Sequence, residues 1–223
     1  MIVANRLDDA RKELALAVDG DPDPQYLDAQ GRAAEASAVG DTKYFDLALR
    51  AYERAIAAAP QMFNPQAGTG RVYIARKEYS KAVVPLLAAS KIDPKNTEVM
   101  FYIGLAYKNT GQPTTAAQWL TNAVKAHPDA DGYWQLAQIY QDANDSRQES
   151  ALREATSLGA AKETKDGVKV EWLTDAYYRL GQTEYGLHNN PAAKAAYEKF
   201  VGRSPPAGPQ LSEARQLLNG ELR

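Results

Sequence analysis

No cysteine occurs in the 223 residues, which removes disulfides, thiolate nucleophiles and Cys-ligated zinc or iron–sulfur sites together. Histidine is nearly as scarce: His127 and His188 are the only two, too far apart in sequence for a local metal motif. Long apolar runs are missing too; the longest, 55–59 and 83–89, fall far short of the roughly 18 residues of a membrane-spanning helix. Neither sign of charge dominates, with 26 Lys and Arg against 28 Asp and Glu and a formal charge of -2. Without a basic stripe, nucleic acid and anionic lipid are poor partners. The opening MIVANRLDDARKEL lacks the apolar core and cleavage site of a secretory signal. The compartment, cytoplasmic or periplasmic, is left open, with any signal or anchor expected upstream.

What is present, 44% hydrophobic and 24% charged residues, is the composition of a globular chain. Its organisation is periodic. Gly70, Tyr73, Ala82, Leu86, Ala89 and Pro94 recur 34 residues later as Gly104, Tyr107, Ala116, Leu120, Ala123 and Pro128. Earlier, Ala48, Tyr52, Ala55 and Pro60 repeat the second half of the unit, as do Ala10, Leu14, Ala17 and Pro22. Toward the C-terminus the spacing returns in Gly181, Ala193, Tyr197, Phe200 and Pro205. A fixed period of this length marks a stacked repeat.

These residues and their spacing resemble the tetratricopeptide repeat (TPR) family, a 34-residue helix-turn-helix unit. The resemblance covers nearly the whole chain. It implies an all-α, right-handed superhelical solenoid with a C-terminal capping helix. Within it Gly70, Gly104 and Gly181 are expected to face Ala82, Ala116 and Ala193, small against small, so that paired helices approach closely. Pro60, Pro94, Pro128 and Pro205 close repeats, because proline cannot continue a helix and holds its predecessor out of helical angles. Gly111-Gln112-Pro113 and Asn189-Asn190-Pro191 read as left-handed caps followed by a proline at a helix start.

The chain is thus expected to be a single solenoid domain over 1–223, with repeats at 24–62, 63–96, 97–129, 130–163 and 174–207. Residues 1–23 would be the second helix of an incomplete repeat, with Leu7, Ala10, Leu14 and Ala17 on one face. Their partner helix would precede Met1, so the chain reads as a fragment of a longer protein. The first repeat carries an insertion of about five residues around Val39 to Lys43. A second excess, 164–173, falls in the charged stretch 160–170, which has little to bury and is expected to project as a mobile loop. Leu211, Ala214, Leu217 and Leu218 give 208–223 the apolar stripe of a capping helix.

No constellation carries chemistry. Gly68 and Gly70 are followed by no Gly-Lys-Ser/Thr, so they form no phosphate loop. Asp19, Asp21 and Asp23 alternate like calcium ligands, but Pro22 and Pro24 interrupt them and Gln30 stands where a Glu is required. His127 and His188 sit in turns beside no nucleophile, and no serine occupies a Gly-x-Ser-x-Gly elbow. Neither a catalytic residue, a metal site nor a cofactor is expected.

What remains is the concave wall that the first helices of such repeats line. Carried over from the family's groove positions, the expected partner-binding residues are Asp28, Arg32, Arg71, Phe101, Leu105, Lys108, Asn109, Trp134, Gln138, Tyr178, Gln182 and Tyr185. Phe101, Trp134 and Tyr178 fall at one position of three repeats, either as anchors for a docked peptide or as packing between first helices. The Lys and Asn of a chaperone-binding carboxylate clamp are replaced by Asp28 and Arg32, which disfavours an acidic chaperone C-terminus. The resemblance therefore implies a non-enzymatic scaffold that binds a protein or peptide in its groove. The alternatives are a structural protein assembling through its solenoid ends and an envelope, pilus-assembly or motility accessory protein, although no lipobox cysteine supports the latter. High alanine content and divergent repeats give the chain a bacterial look.

Overall fold

The computed structural model describes residues 23–38 and 41–222. Among these the chain forms eleven α-helices and no strand. They are α1 (Pro24–Ser37), α2 (Tyr44–Ala58), α3 (Phe63–Ala75), α4 (Tyr79–Ile92), α5 (Thr97–Asn109), α6 (Pro113–Ala126), α7 (Ala130–Asp142), α8 (Arg147–Asp166), α9 (Leu173–Gly186), α10 (Asn190–Gly202) and α11 (Pro209–Asn219). The expected helix over 1–22 lies outside the described residues. The fold is all-α and divides into two compact units, one ending at Trp119 and one beginning at Leu120.

In the first unit, α1 pairs with α2 and α3 with α4. Ala82, Leu86 and Ala89 of α4 are buried with Ala67 of α3 and with Val99, Ile103 and Ala106 of α5. A second cluster joins Ala34, Ala48, Leu49, Tyr52 and Val72. Gly70 and Gly181 do not face the expected alanines. A Cβ on Gly70 would lie 2.4 Å from Leu86, and one on Gly31 would lie 2.3 Å from the Tyr52 ring. In the second unit a Cβ on Gly181 would meet Tyr197 at 2.8 Å. Each glycine makes room for the large residue one turn beyond the expected alanine, because side chains at i and i+4 share a helix face. Gly70 to Leu86 and Gly181 to Tyr197 are sixteen residues apart, whereas Gly31 to Tyr52 is five longer.

In the second unit α7 pairs with α8 and α9 with α10. Leu173, Tyr177, Tyr178, Ala193, Tyr197, Phe200, Leu211 and Ala214 form its main core. Residues 160–166 do not project as a loop. They continue α8, which ends at Gly167 in the left-handed region at φ 66°. Glu163 explains the difference: it accepts from both Nη atoms of Arg203, at 2.6 and 2.7 Å, and from the Val170 amide at 2.7 Å. Val170, only 8% exposed, closes the linker onto the core. The sequence shows the charges of this stretch but not the partner forty residues away.

The turns obey a local rule. Lys77, Gly111, Asn144 and His188 all take positive φ, between 51° and 77°. The amide after each donates five residues back, from Glu78 to Tyr73, Gln112 to Tyr107, Asp145 to Tyr140 and Asn189 to Glu184, at 2.8 to 2.9 Å, which closes the first helix of each pair. The expected left-handed residue near Asn189 is therefore His188, one position earlier. Only Gly111 adopts this conformation without a Cβ penalty. His188→Gly is expected to raise stability by about 0.5–1 kcal/mol, read as a higher urea midpoint at unchanged slope. Ala59 and Asp93 precede Pro60 and Pro94 with extended backbones, ψ 82° and 90°, as a following proline requires.

Candidate functional site

The candidate groove residues lie on first helices of the pairs, and each unit treats them differently. On α1, Asp28 is only 3% exposed. Its Oδ2 lies 3.0 Å from Arg32 Nε and accepts from Asn64 Nδ2 of α3 at 3.4 Å. Arg71 on α3 is engaged internally: its Nε and Nη2 reach the two oxygens of Glu35 at 2.8 and 3.0 Å, and the Tyr52 hydroxyl donates to the same carboxylate at 2.7 Å. The hydrogen bond that Arg71 donates to Glu35 raises the Arg71 pKa, while burial and then Glu35 raise that of Tyr52. Both groups keep their protons over the working pH range.

On α5, Phe101 and Leu105 are spaced i, i+4 and half-buried. Neither belongs to the buried cluster of α3, α4 and α5 or packs against it, although Tyr102 and Tyr107 of the same helix do. The Phe101 ring meets Tyr102 edge to face at 5.6 Å. Lys108 is half-buried and Asn109 exposed, its amide donating to the Leu105 carbonyl at 2.8 Å.

In the second unit the aromatic residues are packing residues. Trp134, 5% exposed, stacks on Trp172 with centroids 5.3 Å apart and planes 8° apart, and the Arg179 guanidinium lies over its ring at 5.5 Å. Trp172 Nε1 donates to Asp131 at 2.7 Å. Tyr178, 7% exposed, sits against Tyr197 and Phe200. Its hydroxyl donates to Glu213 at 2.6 Å and accepts from Gln182 at 2.9 Å; burial first, then Glu213, pushes its pKa up to about 12. Tyr185 likewise donates to Glu221. Gln138 is half-buried and Gln182 exposed. Of the two readings open for Trp134 and Tyr178, their geometry is that of packing.

Sequence reasoning missed Glu35, Trp172 and the buried Glu184, whose carboxylate lies 2.6 Å from Arg153 and accepts from Asn189 at 2.8 Å. Trp172 lay in the stretch read as an insertion, and a tryptophan amid charges was the signal that it docks. Among the described residues no three His, Asp or Glu side chains converge to hold a metal, and no helix is long and apolar enough to cross a membrane.

Family models described as TPR repeat and as tetratricopeptide repeat match residues 70–111, and 98–130 and 175–206, respectively. No curated protein matches the chain significantly. Among solved structures the chain is similar to a MamA protein at 19% identity and a TM-score of 0.62, covering 82% of this chain and 98% of that one. MamA AMB-1 matches at 25% identity and 0.57 over 75% and 87%. MamA from Desulfovibrio magneticus RS-1 matches at 21% and 0.54 over 65% and 78%. At such identities the likeness speaks for the fold.

Proposed function

We propose, from the premise that the chain is a tetratricopeptide repeat protein, that it is a non-enzymatic scaffold docking a protein or peptide segment on the first-helix face of its first unit. The observation that carries this reading is the Phe101–Leu105 pair on α5, apolar, partly accessible and outside the unit's core cluster. Apolar side chains that stay partly accessible outside such a cluster are available as anchors. Trp134 and Tyr178 pack within the second unit and form no part of this site.

The test is a titration against the native partner. Phe101→Ala combined with Leu105→Ala is expected to weaken binding by about tenfold or more while the melting curve is retained, since truncating an anchor costs roughly 2 kcal/mol. Trp134→Ala is expected to do the reverse, lowering the melting temperature. Undiminished binding by the double variant would overturn the docking site.

A further inference from the structure

We propose that Asn219 is a site of spontaneous hydrolytic modification, deamidating through a succinimide formed with Gly220, and that the docking of Glu221 and Leu222 on the second unit holds the reaction back in the folded chain. The site belongs to the second unit and takes no part in the docking proposed above.

Asn219 is exposed at the last helical position of α11, and a glycine follows it. No other Asn-Gly pair occurs in the 223 residues. The pairing matters because a Cβ on the following residue crowds the approach of its amide nitrogen to the asparagine carboxamide, and glycine has none. The Gly220 nitrogen attacks Asn219 Cγ and a C–N bond closes the ring, while the Cγ–Nδ2 bond breaks. The proton of the Gly220 amide passes by way of solvent to the departing nitrogen, which leaves as ammonia. Water then opens the succinimide on either side of the ring nitrogen. Cleavage of the new Cγ bond leaves aspartate; cleavage of the original main-chain bond leaves isoaspartate, whose backbone runs through Cβ and Cγ and is longer by one carbon.

In the folded chain the attacking nitrogen is engaged. The Gly220 amide donates to the Gln216 carbonyl at 3.0 Å and the Leu217 carbonyl at 3.3 Å, and the Leu222 amide donates to Leu217 at 2.9 Å. Leu222 is only 3% exposed and belongs to the second unit's core, while the Glu221 carboxylate accepts from the Tyr185 hydroxyl of α9. These contacts hold the turn shut. Ring closure waits for its local opening, which costs far less than unfolding the whole chain. The product then fits back poorly. A carboxylate at 219 places negative charge at the negative end of the α11 dipole and beside Glu221, and the longer isoaspartyl backbone shifts Leu222 from its place in the core. Modification is therefore a one-way release of residues 221–222.

The experiment incubates the full chain at mildly alkaline pH, folded and in urea, and follows the tryptic peptide 216–223 by mass spectrometry and by labelling with an isoaspartyl methyltransferase. In urea Asn219 is expected to convert faster than every other asparagine. In the folded chain it is expected to convert slower than in urea by about tenfold or more, the factor set by a turn that is mostly closed. Leu222→Ala, which removes the buried anchor, is expected to bring the folded rate up toward the urea rate, and Tyr185→Phe to raise it by a smaller factor. If Leu222→Ala does not fold, Tyr185→Phe carries the comparison. Protein aged to completion is expected to keep its helical circular dichroism while the Gly220 and Leu222 amides exchange early. Conversion in urea no faster at Asn219 than at other asparagines overturns the site. A folded rate equal to the urea rate, or one that neither variant moves, overturns the protection by Glu221 and Leu222.

Discussion

Tyr52→Ala is expected to lower the unfolding free energy by about 3–5 kcal/mol, the cost of removing a large buried aromatic ring from a packed site. Tyr52 is fully buried on α2, and its ring lies in a slot between two glycines of different helices. A Cβ on Gly31 of α1 would approach it to 2.3 Å and one on Gly68 of α3 to 2.4 Å. The slot has no slack, so Gly68→Ala is expected to cost about 1–3 kcal/mol from the opposite side by overpacking. The two changes should compensate in part when combined, because the cavity left by Tyr52→Ala accommodates the new methyl. Tyr52→Phe separates packing from the hydroxyl bond to Glu35 and should cost only about 1–2 kcal/mol. Urea unfolding followed by circular dichroism measures all four proteins. A midpoint unmoved by Gly68→Ala would show that the ring does not fill the slot.

The second large effect is expected at Glu163 and Arg203. The hydrogen bonds from Arg203, with the Val170 amide adding to them, hold the Glu163 carboxyl down to about 2 from an ordinary 4.5. A carboxyl depressed by folding stabilises the native state above its unfolded pKa, and that contribution is lost as pH falls from about 4.5 toward 2. The pair is about one-fifth exposed, so solvent screening reduces its worth to roughly 1–3 kcal/mol. Glu163→Gln should therefore lower stability at neutral pH and flatten the acid limb between those values. Arg203→Ala should also release the end of α8, and amides of 160–166, protected in the native protein, should exchange early. Slow exchange there in Arg203→Ala would mean that the helix stands without its clamp.

That clamp marks the boundary between what was legible and what was not. The period of 34 was readable because each repeat uses the same packing residues, and the prolines mark the repeat ends through backbone sterics. The insertion before α2 was legible for the same reason, as an excess over a fixed count. The excess near residue 165 was equally visible as a number, but its conformation was not. Charged side chains look solvent-bound until a distant counter-charge is known, and Glu163 and Arg203 are brought together only by the packing of α8 against α9 and of α9 against α10.

The groove divides in the same way. Sequence alone determined that the chain is a helical repeat protein and which first-helix positions to inspect, since these follow from local sterics and hydrophobic periodicity. Whether a side chain at such a position meets solvent or a neighbour was decided only by tertiary structure. Trp134 found Trp172, Tyr178 found Tyr197 and Phe200, and Arg71 found Glu35, whereas Phe101 and Leu105 are only half-buried and lie outside the cluster that α3, α4 and α5 share. Equivalent positions in a repeat carry equivalent backbones, but burial depends on side chains brought from far along the chain, and the period does not encode those.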